Sequence, residues 1–336
     1  MAQPRSKGKV VVVLGPTASG KSALGIQLAQ RFNGEIVSAD SRQVYRGLDI
    51  GTAKVTPEER AQIPHHLLDV ADPSEVYSAA RFREEALAAI DAILSRGKLP
   101  LLVGGSPHYI QLVVDNLQVP QVPPDMELRR QLEQRPLAEL VAELERRDPH
   151  TAAHIDRRNP RRVIRALEVC LLTGRPFSEQ QGAPAPLYES LLLGIHWPRA
   201  ELYRRIDQRV DERLRQGMVD EVRRLLAQGI SHERLEALGL EYRFISRLLR
   251  GEYESEAVMA EHLKHAIHDF ARRQLSWFRR DQRIIWLEGP DLERATTEVA
   301  RFLGEECGGA FSAAELAQQP SGEVNQGPSQ GMEAGS

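Results

Sequence analysis

The chain has 336 residues, 41% hydrophobic and 27% charged, with a formal net charge of −3 and two cysteines. Its length supports one large domain or two around a substantial core, and no run approaches the ~18 consecutive apolar residues of a membrane span. Cys170 and Cys307 are far apart and lack a C-x-x-C spacing, which excludes a disulfide framework or zinc site as the reading; a reducing cytoplasm is the expected setting.

Residues 1–8 are short, polar and basic and are read as a flexible N-terminus; the apolar run after them is too brief for a secretory signal. Lys9–Leu14 predicts a buried strand, followed by Gly15, Pro16, Thr17, Ala18, Ser19, Gly20, Lys21 and Ser22, a G-x-x-x-x-G-K-S loop, and a helix over Lys21–Arg31. Strand, glycine loop and helix in that order form a phosphate cradle: backbone N–H groups and the helix N-terminus surround an anionic cluster. Lys21 adds a point charge and the Ser22 hydroxyl is a Mg²⁺ ligand, so the loop binds a di- or triphosphate. A second strand, Glu35–Ala39, runs into Asp40, Ser41, Arg42 and Gln43. Ligands sit beyond the carboxyl ends of parallel strands, which puts Asp40 on the same rim as the loop. Asp40 is either a general base or metal-shell ligand there, or a helix cap or structural ion pair. A helix over Ala79–Arg96 and a strand over Leu99–Val103 follow, the strand ending in Gly104, Gly105 and Ser106. Two glycines permit close backbone approach to a ligand. No Asp or Glu ends this strand, which argues against a motor-type ATPase.

Asp115–Pro124 reads as a linker, Met126–Thr173 as helical, with Leu128, Leu132, Leu137, Leu140 and Leu144 on one stripe, and Gly174–Pro186 as a second linker. Ser190–His196 returns as a buried strand, residues 199–280 as helices, and Ile284–Leu287 as a last short strand. The alternation predicts an α/β fold: a P-loop parallel sheet flanked by helices, formed by 9–118 and 187–304, with a helical insertion over 119–186. Residues 305–336, rich in Gly, Ser, Gln, Pro and Glu, are expected to be a disordered tail.

That tail carries five glutamates and no Lys or Arg after Arg301, so residues 1–301 carry a net +2. The positive charge there is clustered arginine, which suits phosphate contacts. Arg158, Arg161, Arg162 and Arg165 are spaced to share one helix face, with only Asp156 and Glu168 nearby to neutralise them. They are read as a nucleic-acid backbone contact, with a solvated face as the alternative. Arg204, Arg205 and Arg209 form a second group. Arg272, Arg273, Arg279 and Arg280, interleaved with Trp277 and Phe278, form a third, in which the aromatics either stack on a base or pack in the core.

Taken together, Gly-Pro-Thr-Ala-Ser-Gly-Lys-Ser (15–22), Ser-Ala-Asp-Ser-Arg-Gln-Val-Tyr-Arg-Gly-Leu-Asp-Ile-Gly-Thr-Ala-Lys (38–54), His-His-Leu-Leu-Asp (65–69), Val-Gly-Gly-Ser (103–106), Asn-Pro-Arg-Arg-Val-Ile-Arg-Ala-Leu-Glu-Val (159–169) and Arg-Arg-Gln-Leu-Ser-Trp-Phe-Arg-Arg (272–280) resemble the bacterial tRNA dimethylallyltransferases over residues 9–287. The resemblance implies transfer of a dimethylallyl group from dimethylallyl diphosphate to N6 of the adenosine 3′ to the anticodon, in tRNAs reading codons that begin with U. It implies Asp40 as base, with Thr17 and Arg209 beside the diphosphate and Mg²⁺ on Ser22. It implies tRNA contacts at Asp40, Ser41, Arg42, Gln43, Ser106, Arg129, Arg161, Arg162, Val163, Ile164 and Arg165, the insertion gripping the anticodon stem-loop. A monomer acting in the cytoplasm is the expected form. The rivals are a P-loop kinase and an adenylate isopentenyltransferase. One departure is Gly-Gly-Ser-Pro-His-Tyr (104–109) where the family has Gly-Gly-Thr-Gly-Leu-Tyr, which puts Pro107 and His108 near the expected base channel. His65 and His66 are read as structural or RNA-facing rather than as metal ligands.

Overall fold

The computed structural model describes residues 6–304. Four successive valines make β1 (Lys9–Leu14) a strand buried on both faces, the pattern of a central parallel strand. The chain continues through α1 (Lys21–Arg31), β2 (Gly34–Ser38), α2 (Pro57–Gln62), β3 (His65–His66), α3 (Ala79–Ser95), β4 (Leu99–Gly104) and α4 (Pro107–Val114). Four helices follow: α5 (Met126–Glu133), α6 (Leu137–Arg147), α7 (Pro149–His154) and α8 (Pro160–Thr173). The chain then returns as β5 (Glu189–His196) and ends with α9 (Arg199–Arg215), α10 (Met218–Ala227), α11 (His232–Leu238), α12 (Leu240–Leu249), α13 (Glu256–Phe278), β6 (Ile285–Glu288) and α14 (Leu292–Leu303).

The six strands form one sheet in the order β3-β2-β4-β1-β5-β6, every pairing parallel. β5 rejoins the sheet beside β1, Val10 opposite Ser190, so the sequence between β4 and β5 leaves the sheet and comes back to it. Register aligns Leu14 with Gly104 and Ser38 with Val103, bringing the ends of β1, β2 and β4 to one rim. Each face of the sheet carries its own apolar core: α3, α4, α9 and α13 pack on one side, α1 and α14 on the other.

The excursion has a third core, built from Leu132, Leu140, Leu144, Val163, Leu167 and Cys170. Its two ends are pinched together where the Gln118 N–H donates to the Gly182 carbonyl at 2.7 Å, and Asn116 Nδ2 donates to the Ala185 carbonyl. Residues 126–173 are helical, as the leucine stripe indicates, but divided into four helices. Pro136, Pro149 and Pro160 each stand at a helix start, where a missing N–H costs nothing but a continuous helix is broken. Arg158 therefore precedes α8, whose cap is the Asn159 side chain accepting from the Arg162 N–H, and does not share its face. The pattern also gave no sign of α2, β3, α4 or α14; β3 has two residues and α2 six, too short for either period to register. At the start of the described chain, Lys7 donates its N–H to the Leu187 carbonyl and its Nζ to Asp91. The expected tail, 305–336, lies outside the described residues.

Candidate active site

The glycine loop leaves β1 at Gly15 and enters α1 through Gly20, which adopts φ 93° in the left-handed region that favours glycine. Behind the loop, Trp197 Nε1 donates to the Ser19 carbonyl and Arg205 Nε to the Ala18 carbonyl, both at 3.0 Å, and the Arg205 guanidinium lies over the Trp197 ring. Lys21 Nζ donates to the Pro16 carbonyl. Burial, then repulsion from Arg209, lowers the Lys21 ammonium to about 8, with Asp40 opposing. Arg209, on α9, is lowered to about 10 by burial and by Arg213 beside it. Among the described residues the Arg209 guanidinium has no hydrogen-bond or ion-pair partner. Two cations held together at this energetic cost form a socket for a polyanion.

Asp40 sits past the end of β2. Its Oδ1 accepts the N–H groups of Arg42 (2.8 Å) and Gln43 (3.4 Å), a turn that fixes the carboxylate, while Oδ2 has no hydrogen-bond donor among the described residues. Ser106, after β4, does not cap α4 with its side chain; its hydroxyl accepts from the Ser41 N–H and pins the same turn. Gln43 ties the turn to a second loop, donating to the carbonyls of Thr52 and Ala53. Gly104 and Gly105 are there for space. A Cβ on Gly104 would stand 2.2 Å from the Ala39 carbonyl oxygen, and one on Gly105 2.8 Å from Gln274 Nε2.

These groups line a cavity of about 350 Å³ that contains Thr17, Lys21, Ser22, Asp40 to Gln43, Ser106 and Arg209. Seven Lys or Arg side chains border it (Lys21, Arg42, Arg161, Arg209, Arg213, Arg243 and Arg273) against two carboxylates, Asp40 and Glu241. A wider groove of about 1050 Å³ approaches from the other side of the loop, and Lys21, Ser22, Arg209 and Arg213 line both. The cationic socket is thus the place where the two cavities meet.

A family model described as IPP transferase matches residues 43–281. A tRNA dimethylallyltransferase of Thermomicrobium roseum is 45% identical over 304 residues, 88% of this chain and 92% of the relative. The chain belongs to this family. The tRNA dimethylallyltransferase of Streptomyces coelicolor is 46% identical over 88% of this chain and 94% of its own. Among solved structures, the full-length tRNA isopentenylpyrophosphate transferase of Bacillus halodurans is 37% identical and covers 88% of this chain and 95% of its own, with a TM-score of 0.64. A eukaryotic dimethylallyltransferase caught acting on tRNA is 30% identical, covers 88% and 78%, and has a TM-score of 0.73.

Of the family residues expected at the RNA, the structure separates two kinds. Arg161 and Arg162 are exposed on the first turn of α8, with no side-chain hydrogen bond or ion pair to the described residues. Val163 and Ile164 do not face out with them: their side chains are buried in the core of the excursion, as alternation round a helix demands. Arg129 and Arg165 converge instead on Glu168, which is fully buried and takes two bonds from Arg129, one from Arg165 and the Asp125 N–H. The expectation that nearby carboxylates leave Arg165 unneutralised fails, because Glu168 lies one turn along and inside. Pro107 and His108 open α4, and neither lines the cavity holding Asp40. His65 donates its Nδ1–H to the Ile63 carbonyl, and His66 Nε2 pairs with the buried Glu35 carboxylate. Trp277 borders a small cleft away from the cavity and Phe278 is core.

Sequence reasoning missed Arg213, Arg243, Glu221 and Gln274. Glu221, on α10, is 2% exposed and accepts the N–H groups of Asp49, Ile50 and Gly51 and the Tyr242 hydroxyl, fixing the loop that walls both openings. No local pattern announces such a residue; a glutamate on an amphipathic helix reads as solvated.

Proposed function

We propose that the chain transfers the dimethylallyl group of dimethylallyl diphosphate to N6 of adenosine 37, next to the anticodon, in tRNAs reading codons that begin with U. The observation that carries this reading is the carboxylate of Asp40 in one cavity with the cationic pair Lys21 and Arg209, where two openings meet. An alkyl transfer to a large RNA brings a flipped base through one opening and the small diphosphate through the other.

An exocyclic adenine amine is a weak nucleophile because its lone pair is delocalised into the ring. As the N6 lone pair forms a bond to C1 of the dimethylallyl group, the C1–O bond breaks and its electron pair leaves on the diphosphate oxygen. Asp40, oriented by the Arg42 and Gln43 amides and with Oδ2 free of protein donors, takes the N6 proton. Charge gathering on the leaving oxygens is met by Lys21, Arg209 and the loop amides, which are in place before the reaction. Thr17 lines the same cavity beside the leaving group.

Mg²⁺ fits the socket in one respect. Ser22 lines both openings and its hydroxyl has no hydrogen-bond partner among the described residues, while no group of three His, Cys, Asp or Glu side chains gathers there. The ion would be held by Ser22 and by the substrate's own oxygens, where it supplies charge neutralisation of the diphosphate. The exposed Arg161 and Arg162, with Arg42 and Arg243, which line the same cavity as Arg161, supply the backbone contacts for the anticodon stem-loop. The protein acts as a cytoplasmic monomer in this reading; no helix of the described residues is long and apolar enough to cross a membrane.

The test is mass spectrometry of nucleosides from an unmodified tRNA pool incubated with enzyme, dimethylallyl diphosphate and Mg²⁺. Dimethylallyladenosine confined to position 37 is the expected product. Phosphate transfer from labelled ATP without that product would overturn the reading.

A further inference from the structure

Among the side chains that α13 brings to the site, one makes a bridge that the reaction above leaves unused. Gln274 is 5% exposed, and its amide makes two hydrogen bonds of opposite sense. Oε1 accepts the Thr17 N–H at 3.0 Å, and Nε2 donates to the Gly105 carbonyl at 2.6 Å. The partners fix the orientation of the amide, since a backbone N–H only donates and a carbonyl only accepts. Thr17 belongs to the diphosphate loop and Gly105 to the turn beside Asp40 and Ser106. The two loops leave neighbouring strands, β1 and β4, and the Gln274 amide spans the gap between them. The missing Cβ of Gly105 is what lets the amide approach so closely.

We propose that Gln274 is a positioning residue for the transfer. It fixes the distance between the loop that holds the diphosphate and the turn that presents the base. The inference rests on the assignment of those two loops to those two substrates. A reaction between two bound partners is sensitive to their separation, and a displacement of about 1 Å can cost on the order of 100-fold in rate. The same helix turn carries Phe270 and Arg273, exposed and lining the same cavity, so an RNA that presses on α13 presses on this strut.

Glutamate at this position gives a test with an internal switch. Protonated, its carboxyl accepts from Thr17 and donates to Gly105 as the amide does. Ionised, it has no proton for the Gly105 carbonyl, and the strut is broken. Q274E should therefore show kcat reduced about 10- to 100-fold at pH 8, with its ratio to wild type rising about tenfold as the pH falls to 5.5. Taking the ratio removes any pH dependence that the variant and the wild type share. Q274M, which can form neither bond, should show a similar loss with a ratio that does not change with pH. Both variants should bind tRNA within about twofold of wild type in filter binding, because the strut faces inward. A flat ratio in Q274E, kcat within twofold of wild type in Q274M, or tRNA affinity falling in step with kcat would each overturn the inference. Should Q274E fail to fold, as judged by its melting curve, the Q274M result decides alone. Failure of the wild type to prenylate tRNA is a separate result and strikes the reaction assigned above, not the strut.

Discussion

Replacing Glu221 by glutamine isolates one charge in the interior and tests what holds the active-site loop. Oε2 of Glu221 accepts the Asp49 and Ile50 N–H groups, and Oε1 accepts the Gly51 N–H and the Tyr242 hydroxyl. An amide retains one oxygen. The favoured orientation keeps that oxygen on Asp49 and Ile50 and turns the NH₂ toward Tyr242, whose hydroxyl can rotate to accept. The Gly51 N–H then faces a donor, and a buried unsatisfied N–H costs about 1–3 kcal/mol. The two surviving backbone bonds lose their charge assistance, about 1 kcal/mol each. The expected destabilisation is about 3–5 kcal/mol, which for a chain of this size lowers Tm by about 4–7 °C. The measurement is a thermal melt followed by circular dichroism, paired with Tyr242→Phe. That variant removes one bond only and should cost about 1 kcal/mol. In the Glu221→Gln background Tyr242→Phe should cost measurably less, because the two residues share one site. A Tm change below about 2 °C in Glu221→Gln, or full additivity of the pair, would refute the accounting.

Asp40→Asn should keep binding of both substrates and slow transfer by about 10²–10⁴, the range for losing a general base; single-turnover kinetics with saturating tRNA would show it. Binding of dimethylallyl diphosphate should be level below pH 8 and weaken above it. Lys21 loses its proton near pH 8 in the free protein, and the bound anion must restore that charge by proton uptake, so calorimetry in two buffers above pH 8 should detect the proton. Arg161→Ala with Arg162→Ala should weaken tRNA binding and reduce its salt slope by about one unit per contact, read by filter binding across salt concentrations. Arg165→Ala should act otherwise: with Arg129 left as the one cation on Glu168, a melting curve should fall while the salt slope changes little.

The central parts of the sheet were readable because they obey local rules. Lys9–Leu14 and Lys21–Arg31 appear in the structure with those bounds, as an unbroken valine run and a glycine loop leave one solution. Asp40, Lys21 and Ser106 reach one rim because parallel strands present their carboxyl ends together. Less visible were the elements whose meaning lies in a distant partner. Arg165 looks the same as Arg161 in the sequence, and only the burial of Glu168 separates a structural arginine from a free one. Gln274 lies within an arginine-rich stretch whose charges drew attention to the wrong side chains, and its partners are 257 and 169 residues away. The leucine stripe of residues 126–173 shows which face is buried but not where the helices end, which Pro136, Pro149 and Pro160 decide.

The pinch at Gln118 and Gly182 has a consequence for how such a chain can change over time. Because the two ends of the excursion meet in a single backbone hydrogen bond, β4 and β5 see the same short span whatever lies between them. Lengthening, trimming or exchanging the segment would leave the sheet register in place and change the cavity only at the wall that Arg161 supplies. A lineage could thus replace the whole four-helix block at one narrow neck without re-pairing a single strand.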